Sequence, residues 1–539
     1  MLNVEGRNRR KASMGIYLNP SNENFRRTLS APVYVDKTMM ISVTNRFIDT
    51  GNNYICMSRP RRFGKTIAGN MLSAYYSKGC DSSELFKDYK ISSDPGYEEK
   101  RNKYNVIKID MNSEYQNTRD RERMIDILSG KVITEICNDY PDIRVSPDEN
   151  TIAEAIMEVY SKTNETFIII IDEYDVLVRE QVGKDLFERY LSFLNGLFKS
   201  DTLRPAISLA YLTGILPIVR DKIQSKLNNF REYTILNSRD FTEYVGFTAD
   251  EVKGLCRKYN VDYENCRHWY DGYRQDGLEI YNPESVIMCM HEGEFENYWS
   301  KTSSYQAISD RICENYKGTK DDVIKMLSGE SVDVDAGMYL NTMGDFSTKD
   351  EVFTYLIHLG YLAYDRKEKT CRIPNKEVRD EWARAISKVS EYEVTDEIIK
   401  ASKELLKETL AGNEEAVSQA LDKSHIHVSS NRSYNNEDVL QSAIYLAFIY
   451  ALNDYECFRE VTAGKGFADL VYIPIRSEKP ALIIELKRNK TVESALDQIK
   501  DKKYFECLNH FSGNMIFVGI NYDEEKKTHE CRIERFVKE

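Results

Sequence analysis

The chain lacks the features that would place it in a membrane, outside the cell or among zinc proteins. Its longest apolar segment, Ala443–Leu452, has about half the length that a helix needs to cross a bilayer. The basic residues Arg7–Lys11 have no apolar stretch behind them, so they do not resemble a secretion signal. The 11 cysteines include no CxxC pair and no histidine at zinc-ligand spacing. We therefore expect a cytoplasmic protein with reduced thiols and no membrane partner.

An excess of positive charge is also missing. The formal net charge of -13 argues against a globally basic coat for nucleic acid, although a local basic groove is compatible with it. With 41% apolar and 30% charged residues, the composition is typical of a globular protein with a well-solvated surface. The 539 residues exceed what one hydrophobic core can hold and predict about three or four domains.

Strands and helices alternate in the first third of the chain, which favours a doubly wound α/β domain with a parallel sheet. The apolar run Phe167–Ile171 is typical of a strand that is covered on both faces. After Thr234 the pattern changes to shorter helices, and a helix followed by a hairpin at 349–373 resembles a winged helix. A Ser/Asn-rich linker and a second α/β domain follow.

A phosphate-binding loop is predicted at Arg59–Thr66, which follows the first strand and opens a helix. A loop at a helix N-terminus offers unpaired backbone N–H groups and the helix dipole to a phosphate. Gly64 would let the backbone approach closely, Lys65 would reach the β- and γ-phosphates, and the Thr66 hydroxyl would bind Mg²⁺. The usual pattern has Gly at the position of Arg59, so the loop alone is also compatible with a structural turn.

Two acidic residues, Asp172 and Glu173, end the apolar strand. Two neighbouring carboxylates repel each other and raise each other's pKa, so a bound cation is expected beside them. Asp172 would hold the Mg²⁺ of a nucleotide, and Glu173 would polarise the attacking water as a general base. Thr213, at the end of the next strand, could sense the γ-phosphate. The alternative to a cation site is a strand that simply ends in two solvated acids. Arg220 and Arg231 could each neutralise phosphate charge or could be plain surface residues.

The loop resembles that of the bacterial and archaeal AAA-ATPase-like family, whose members carry Arg-Pro-Arg-Arg-Phe-Gly-Lys instead of the Gly-first form. The resemblance implies a P-loop ATPase fold and an ATP site that includes Arg59, Arg62, Phe63 and Gly64. Tyr34–Thr38, which precedes the loop, either frames the nucleotide or packs against the domain. Further segments follow in the family's order, namely Thr213-Gly214, Leu227–Asn229, Gly246–Thr248, Trp269–Tyr273, Tyr281–Pro283 and Tyr298-Trp299.

The last domain carries a second group of acidic residues beside a lysine. Asp469 lies on one predicted strand, and Glu485 and Lys487 lie two residues apart on the next, so this pair shares a face. Such a group suits phosphodiester hydrolysis, with Asp469 and Glu485 binding Mg²⁺ or Mn²⁺ and Lys487 orienting or deprotonating a water. Glu437, on the helix that opens the domain, could complete the metal shell, and Glu460 is a weaker candidate.

This pattern resembles the PD-(D/E)xK nuclease superfamily, whose domains often follow an AAA-ATPase-like domain. The resemblance implies DNA as the substrate. If Lys487–Lys490 and Lys500–Lys503 lie on one side, they would form a strip that follows phosphates; a solvated face is the alternative. An exposed strand with an ion pair, or a nuclease fold that only binds DNA, also remains open.

The leading hypothesis is therefore an ATP-dependent, Mg²⁺-requiring nuclease. The alternatives are a nucleotide-switched interaction module that cuts nothing and a DNA binder with an inactive ATPase. AAA-like domains often form rings, so a homo-oligomer is compatible with the sequence. The predicted domains are an ATPase core at 1–235, a helical lid and winged-helix-like region at 236–425, a linker at 426–436 and a nuclease-like domain at 437–539.

Overall fold

The computed structural model describes residues 14–218, 227–299, 308, 316, 318–327, 329–337, 346–386, 393–428, 437–463, 466–475, 479–503 and 513–536. The contacts within the chain form two compact units. The first is Met1–Thr302 with Ser331–Val378, and the second is Ser303–Glu330 with Arg379–Glu539. Each unit contains one five-stranded sheet flanked by helices.

The sheet of the first unit is parallel throughout. Its strands are β1 (Tyr54–Ser58), β2 (Asn105–Asp110), β3 (Phe167–Asp172), β4 (Ile207–Gly214) and β5 (Arg231–Tyr233). They lie in the order β2-β3-β4-β1-β5. Strands β1, β3 and β4 are buried along their whole length, because helices cover both faces of the sheet. The predicted doubly wound α/β fold is confirmed.

Helices with an apolar face pack on this sheet. Helix α8 illustrates why they form where they do: Thr151 and Glu154 make a capping box at its start, and Ile152, Ile156 and Val159 on one face enter the core. The helices are α1 (Glu23–Leu29), α2 (Met40–Asn45), α3 (Lys65–Tyr76), α4 (Ser83–Phe86), α5 (Tyr97–Lys100), α6 (Met111–Asn117), α7 (Met124–Asp139), α8 (Ile152–Thr163), α9 (Val176–Arg179) and α10 (Lys184–Phe198).

The middle of the chain consists of short helices and two small antiparallel sheets. The helix and hairpin predicted at 349–373 are present, and β9 adds a third strand to the hairpin. The helices are α11 (Ala249–Tyr259), α12 (Tyr263–Tyr270), α13 (Pro283–Glu292), α14 (Thr319–Leu327), α15 (Lys349–Leu359) and α16 (Lys376–Ile386). The strands are β6 (Phe247–Thr248), β7 (Tyr273–Gln275), β8 (Leu278–Tyr281), β9 (Val332–Asp333), β10 (Ala363–Asp365) and β11 (Thr370–Arg372).

The sheet of the second unit is mixed and has the order β12-β13-β14-β15-β16, with β14 and β15 parallel and the other neighbours antiparallel. Its strands are β12 (Tyr455–Ala463), β13 (Gly466–Pro474), β14 (Ala481–Arg488), β15 (Met515–Asp523) and β16 (Thr528–Phe536). Its further helices are α17 (Glu393–Ala411), α18 (Glu414–Val428), α19 (Glu437–Ala447) and α20 (Val492–Asp501). This confirms the predicted α/β class of the C-terminal region.

Helix α18 lies against the edge strand β16. Oε1 of Glu414 accepts the backbone N–H of Ile533 at 3.0 Å, and Oδ1 of Asp422 accepts that of His529 at 2.7 Å. The helix therefore protects an edge whose unpaired backbone groups would otherwise attract another strand. Residues 426–428, at the start of the predicted linker, continue α18, and 429–436 lie outside the described residues. No described helix is both long and apolar enough for a bilayer span.

Candidate functional site

The loop between β1 and α3 closes over the C-terminal edge of the parallel sheet. Gly64 has a φ of 89°, in the left-handed region that favours glycine, and leads directly into α3. Nζ of Lys65 folds back and donates to the carbonyl oxygens of Arg59 at 2.9 Å and Pro60 at 2.8 Å. Burial lowers the pKa of Lys65 to about 8, and the charge of Asp172 opposes this shift. To bind a phosphate, the lysine would exchange these carbonyls for the ligand.

Asp172 and Thr213 lie side by side where β3 and β4 end. Asp172 is buried, and its Oδ1 accepts the hydroxyl of Thr213 and, at 3.1 Å, the backbone N–H of Glu173. Because β4 lies between β1 and β3, this pair is next to the phosphate loop. Thr66, in the first turn of α3, is exposed. The topology thus brings Lys65, Thr66, Asp172 and Thr213 to one edge of the sheet.

Glu173 is held by an arginine that the sequence analysis missed. Its Oε2 lies 2.6 Å from Nη2 of Arg179, and Nε of Arg179 lies 3.2 Å from Oδ2 of Asp175. The same Oδ2 accepts the backbone N–H groups of Ile215 at 3.0 Å and Leu216 at 2.9 Å. Arg179 therefore connects the predicted general base with the segment that follows β4. The only sequence signal was its place six residues after Glu173, which by itself is unremarkable.

The side chain of Arg59 is engaged within the chain, and its contact with a nucleotide stays a prediction. Its guanidinium is buried and donates through Nη1 to the carbonyl oxygens of Ser58 at 2.8 Å and Tyr233 at 3.0 Å. Burial lowers the pKa of Arg59 to about 10. Nε and Nη2 have no hydrogen-bond partner among the described residues. Arg59 thus ties the loop to β5, and its contribution to phosphate binding would come through the backbone.

Arg62 and Phe63 also make contacts within the chain. Nη1 of Arg62 lies 3.0 Å from Oε1 of Glu284 at the start of α13, and the Arg62 side chain is 28% exposed. The ring of Phe63 packs edge-on against Tyr273, with 5.3 Å between centroids. The ring of Phe63 therefore packs within the chain, and Arg62 would have to leave Glu284 to reach a phosphate. The nucleotide contacts of both residues stay predictions.

The other arginine candidates receive no support. Arg231 begins β5 opposite Ile55, three residues before Ser58 at the loop end of β1. At about 3.3 Å per residue it lies roughly 10 Å from the edge that carries the site. Because a parallel strand presents its C-terminal end to the site, this position favours the plain surface role for Arg231, and the charge-neutralising role stays a prediction. Arg220 lies outside the described residues.

The segment Tyr34–Thr38 packs against the domain. Asp36 accepts the backbone N–H of Thr38 at 2.9 Å and that of Lys90 at 2.9 Å. Lys37 lies 2.5 Å from Glu251 in the first turn of α11. These contacts favour the packing role over the nucleotide-framing role.

Strands β13 and β14 bring the C-terminal candidates together. Leu470 pairs with Ile484 in the antiparallel register, which makes Asp469 and Glu485 the next opposing positions. Oδ2 of Asp469 accepts the backbone N–H of Leu486, the residue after Glu485, at 2.7 Å. Nζ of Lys487 lies 2.8 Å from Oε1 of Glu485. The two residues of β14 share a face, as the strand period predicts.

Glu485 has the electrostatic environment of a cation ligand. The residue is 2% exposed, and its Oε2 has no hydrogen-bond partner among the described residues. Burial and the charge of Asp469 raise the pKa of Glu485 to about 7, and Lys487 opposes this. A divalent ion at Oε2 would satisfy the buried oxygen and relieve the repulsion from Asp469, so the donor set fits Mg²⁺ or Mn²⁺.

A third metal ligand is not among the described side chains. Within the described part of the chain, no group of three or more His, Cys, Asp or Glu residues could hold a metal ion. The side chains of Glu437 and Glu460 lie outside the described residues. Helix α19, which begins with Glu437, is anchored at the site, because Nε2 of Gln441 donates to the carbonyl oxygen of Asp469 at 3.0 Å.

Comparisons with known proteins give one curated relative and several solved structures. A protein of Azotobacter chroococcum mcd 1, described as "Uncharacterized protein in vnfD 5'region", is 24% identical over 364 residues, or 64% of each chain. The chain thus spans less than two thirds of that relative's length.

The Aeropyrum pernix ORC2 protein in its ADPNP-ADP complexes has a TM-score of 0.28 and 10% identity, over 68% of this chain and 93% of that chain. Drosophila ORC bound to poly(dA/dT) DNA and Cdc6 has a TM-score of 0.22 and 8% identity, over 79% and 70%. Scores this low support no conclusion about the present chain.

Family models match both ends of the chain. Residues 23–224 match the family described as predicted AAA-ATPase, and they contain the phosphate loop, Asp172 and Thr213. Residues 435–531 match the PD-(D/E)XK nuclease superfamily, and they contain Asp469, Glu485 and Lys487. The N-terminal part of the chain therefore matches the predicted AAA-ATPase family, and its C-terminal part matches the PD-(D/E)XK nuclease superfamily.

Proposed function

We propose that this protein binds and hydrolyses ATP, and that the nucleotide state controls a metal-dependent C-terminal nuclease that cuts DNA phosphodiester bonds. The observation that carries the proposal is the buried carboxylate of Glu485. One of its oxygens contacts Lys487, and the other has no partner among the described residues. A carboxylate in that state is costly for the fold unless a ligand compensates for it.

At the nucleotide site, the chain's residues bind phosphate and handle the proton of the attacking water. Lys65 leaves the loop carbonyls for the β- and γ-phosphates, and the loop N–H groups surround the same phosphates. Thr213 fixes the carboxylate of Asp172 through its hydroxyl. Bound Mg²⁺ would neutralise charge on the phosphates, with Thr66 and Asp172 holding it. Glu173 accepts the proton of the water.

At the nuclease site, Asp469 and Glu485 would hold Mg²⁺ or Mn²⁺, with Glu437 as the third ligand. The bound ion would supply an acidified water and stabilise the charge of the phosphorane-like transition state. Lys487 keeps Glu485 oriented through the 2.8 Å contact and is placed to orient the water or accept its proton. The β14 backbone fixes Asp469 in turn, through the N–H of Leu486.

The test is cleavage of circular DNA, linear DNA and RNA in Mg²⁺ or Mn²⁺, with and without ATP. Asp469→Ala and Glu485→Gln should each abolish cleavage, because either one removes one of the three carboxylates proposed to hold the cation. ATP binding should be unchanged in both variants. Asp497→Ala, which removes an exposed acid on α20 of the same domain, is the matched control and should cut like the unmodified protein.

Three outcomes are informative. Cleavage that persists in Asp469→Ala would contradict the assignment of the nuclease site. ATP-dependent assembly with a partner and no nicking of any substrate would favour the nucleotide-switched interaction module. ATP binding without turnover, unchanged by Glu173→Gln, would favour a DNA binder with an inactive ATPase.

A further inference from the structure

Two cations near the predicted triphosphate site are engaged by the chain itself. Lys65 donates to two carbonyl oxygens of its own loop. Arg179 lies between two carboxylates, 2.6 Å from Glu173 and 3.2 Å from Asp175. A triphosphate must draw the lysine away from its carbonyls, and the same negative charge would compete with the carboxylates for the arginine.

The surroundings of Arg179 are suited to such an exchange. Its side chain is 10% exposed and that of Asp175 is 1% exposed, whereas that of Glu173 is 32% exposed. Of the two carboxylates, Glu173 is thus the one that water can solvate after the guanidinium leaves. Nε of Arg179 makes no hydrogen bond among the described residues although it lies 3.2 Å from Asp175. The guanidinium therefore retains an unsatisfied donor beside the site.

Arg179 is close enough to the loop lysine for their charges to interact. Burial lowers the pKa of Lys65, the carboxylates of Asp172, Asp175 and Glu173 oppose the shift, and Arg179 adds to it. Arg59 donates to a carbonyl oxygen of β5, and Arg231 lies at the start of β5, away from the strand end that is nearest the site. Arg179 differs from Arg59 and Arg231 because its guanidinium is paired with Glu173, the predicted general base, and its charge acts on Lys65.

We propose that Arg179 binds the γ-phosphate of ATP from within the same chain and leaves Glu173 as it does so. This inference rests on the proposed ATPase function and adds a substrate contact to it. When ATP is bound, the guanidinium neutralises charge on the γ-phosphate and the released carboxylate of Glu173 can accept a proton from water. When ADP is bound, no γ-phosphate competes, and Arg179 returns to Glu173. One side chain thus couples the nucleotide state to the availability of the general base.

The test compares the affinities for ADP and for the non-hydrolysable β,γ-imido analogue of ATP, both with Mg²⁺. Arg179→Lys should weaken analogue binding by roughly tenfold and change ADP binding by less than about twofold, because lysine cannot reproduce the planar guanidinium contact. ATP turnover should fall by on the order of 10²-fold or more. A merely structural role for Arg179 would affect the two nucleotides equally.

Glu173→Gln provides the second arm. Removing the competing carboxylate should tighten analogue binding by several-fold, because the guanidinium no longer has to leave a partly exposed ion pair, and ADP binding should be unchanged. The gain should disappear in the double variant Arg179→Lys/Glu173→Gln, because the competition requires the guanidinium. Arg189→Lys is the matched control. Its Nη1 also lies 2.6 Å from a carboxylate oxygen, that of Asp126, but the pair is half-exposed, so no nucleotide effect is expected.

The outcomes separate this inference from the proposed function. Equal weakening of ADP and analogue binding in Arg179→Lys, or no tightening in Glu173→Gln, would overturn the inference while ATP hydrolysis by the unmodified protein still supported the proposed function. If the unmodified protein binds neither nucleotide, both are overturned. Thermal unfolding of each variant with no nucleotide present identifies a general loss of structure, which would lower both affinities together.

Discussion

Substituting Gly360 by Ala should disturb the phosphate loop from outside the nucleotide site. Gly360 ends α15 with a φ of 88°. A Cβ at this position would lie 2.8 Å from Cβ of Pro60, in the loop, and 3.0 Å from the ring of Trp299. Its carbonyl oxygen accepts the hydroxyl of Tyr273 at 2.6 Å, so the glycine itself is held in place. Relief of the clash must therefore come largely from Pro60 and the loop.

The loss of stability expected for Gly360→Ala has two contributions, and a control variant separates them. An alanine in the left-handed region costs about 1 kcal/mol relative to glycine. Overpacking a buried contact adds about 1–3 kcal/mol. Gly293 ends α13 with a φ of 73°, and a Cβ there would meet nothing within 4 Å, so Gly293→Ala carries only the first cost. Gly360→Ala should therefore destabilise the protein by about 2–4 kcal/mol and Gly293→Ala by about 1 kcal/mol.

The assay is denaturant unfolding of both variants together with titration of the non-hydrolysable ATP analogue. If Pro60 moves to relieve the clash, nucleotide binding must restore the loop, and the overpacking energy of about 1–3 kcal/mol corresponds to roughly 5–150-fold weaker binding. Gly293→Ala should bind the analogue like the unmodified protein. If the two variants have equal stability and equal affinity for the analogue, the clash between position 360 and the loop does not affect nucleotide binding, and the reasoning is refuted.

Three further predictions concern the remaining features. Burial lowers the pKa of His358 to about 3, below its unfolded value of about 6.5. Between about pH 6.5 and pH 3 the unfolded state therefore binds one more proton than the folded state, and the free energy of unfolding falls as the pH drops through this range. His358→Gln should flatten this slope in urea unfolding at a series of pH values. Thr213→Val removes the hydroxyl that donates to the buried acid of β3, and turnover should fall by roughly tenfold or more with little change in ADP affinity. The fragment 437–539 should aggregate in light-scattering measurements, whereas 393–539 should stay dispersed, because only the longer fragment keeps α18 on the edge strand β16.

Local pattern was sufficient for the elements and for residues close together in sequence. The strand Phe167–Asp172 follows from an unbroken apolar run, and the shared face of Glu485 and Lys487 follows from the two-residue period of a strand. Gly64 and Lys65 stand where a strand gives way to a helix, which a short segment reveals without knowledge of the rest of the chain.

The family pattern does not determine the direction of individual side chains. Arg59 and Phe63 lie in a loop that matches the family, yet one donates to a carbonyl of β5 and the other packs on β7. A motif records which residue types recur, but the direction of a side chain depends on which neighbours fold over it. Those neighbours lie more than 170 residues away in the sequence for Arg59 and more than 200 for Phe63.

The sequence by itself determined where the strands end in acids, where a loop can receive a phosphate and which fold class results, because these depend on spacing within one element. Only the tertiary structure decided that β4 lies between β1 and β3, that Asp469 opposes Glu485 and that Arg179 holds Glu173. These depend on strand order, register and the competition of several charges for one cation. Such choices are made by the packing of the whole domain, and no local period in the chain encodes them.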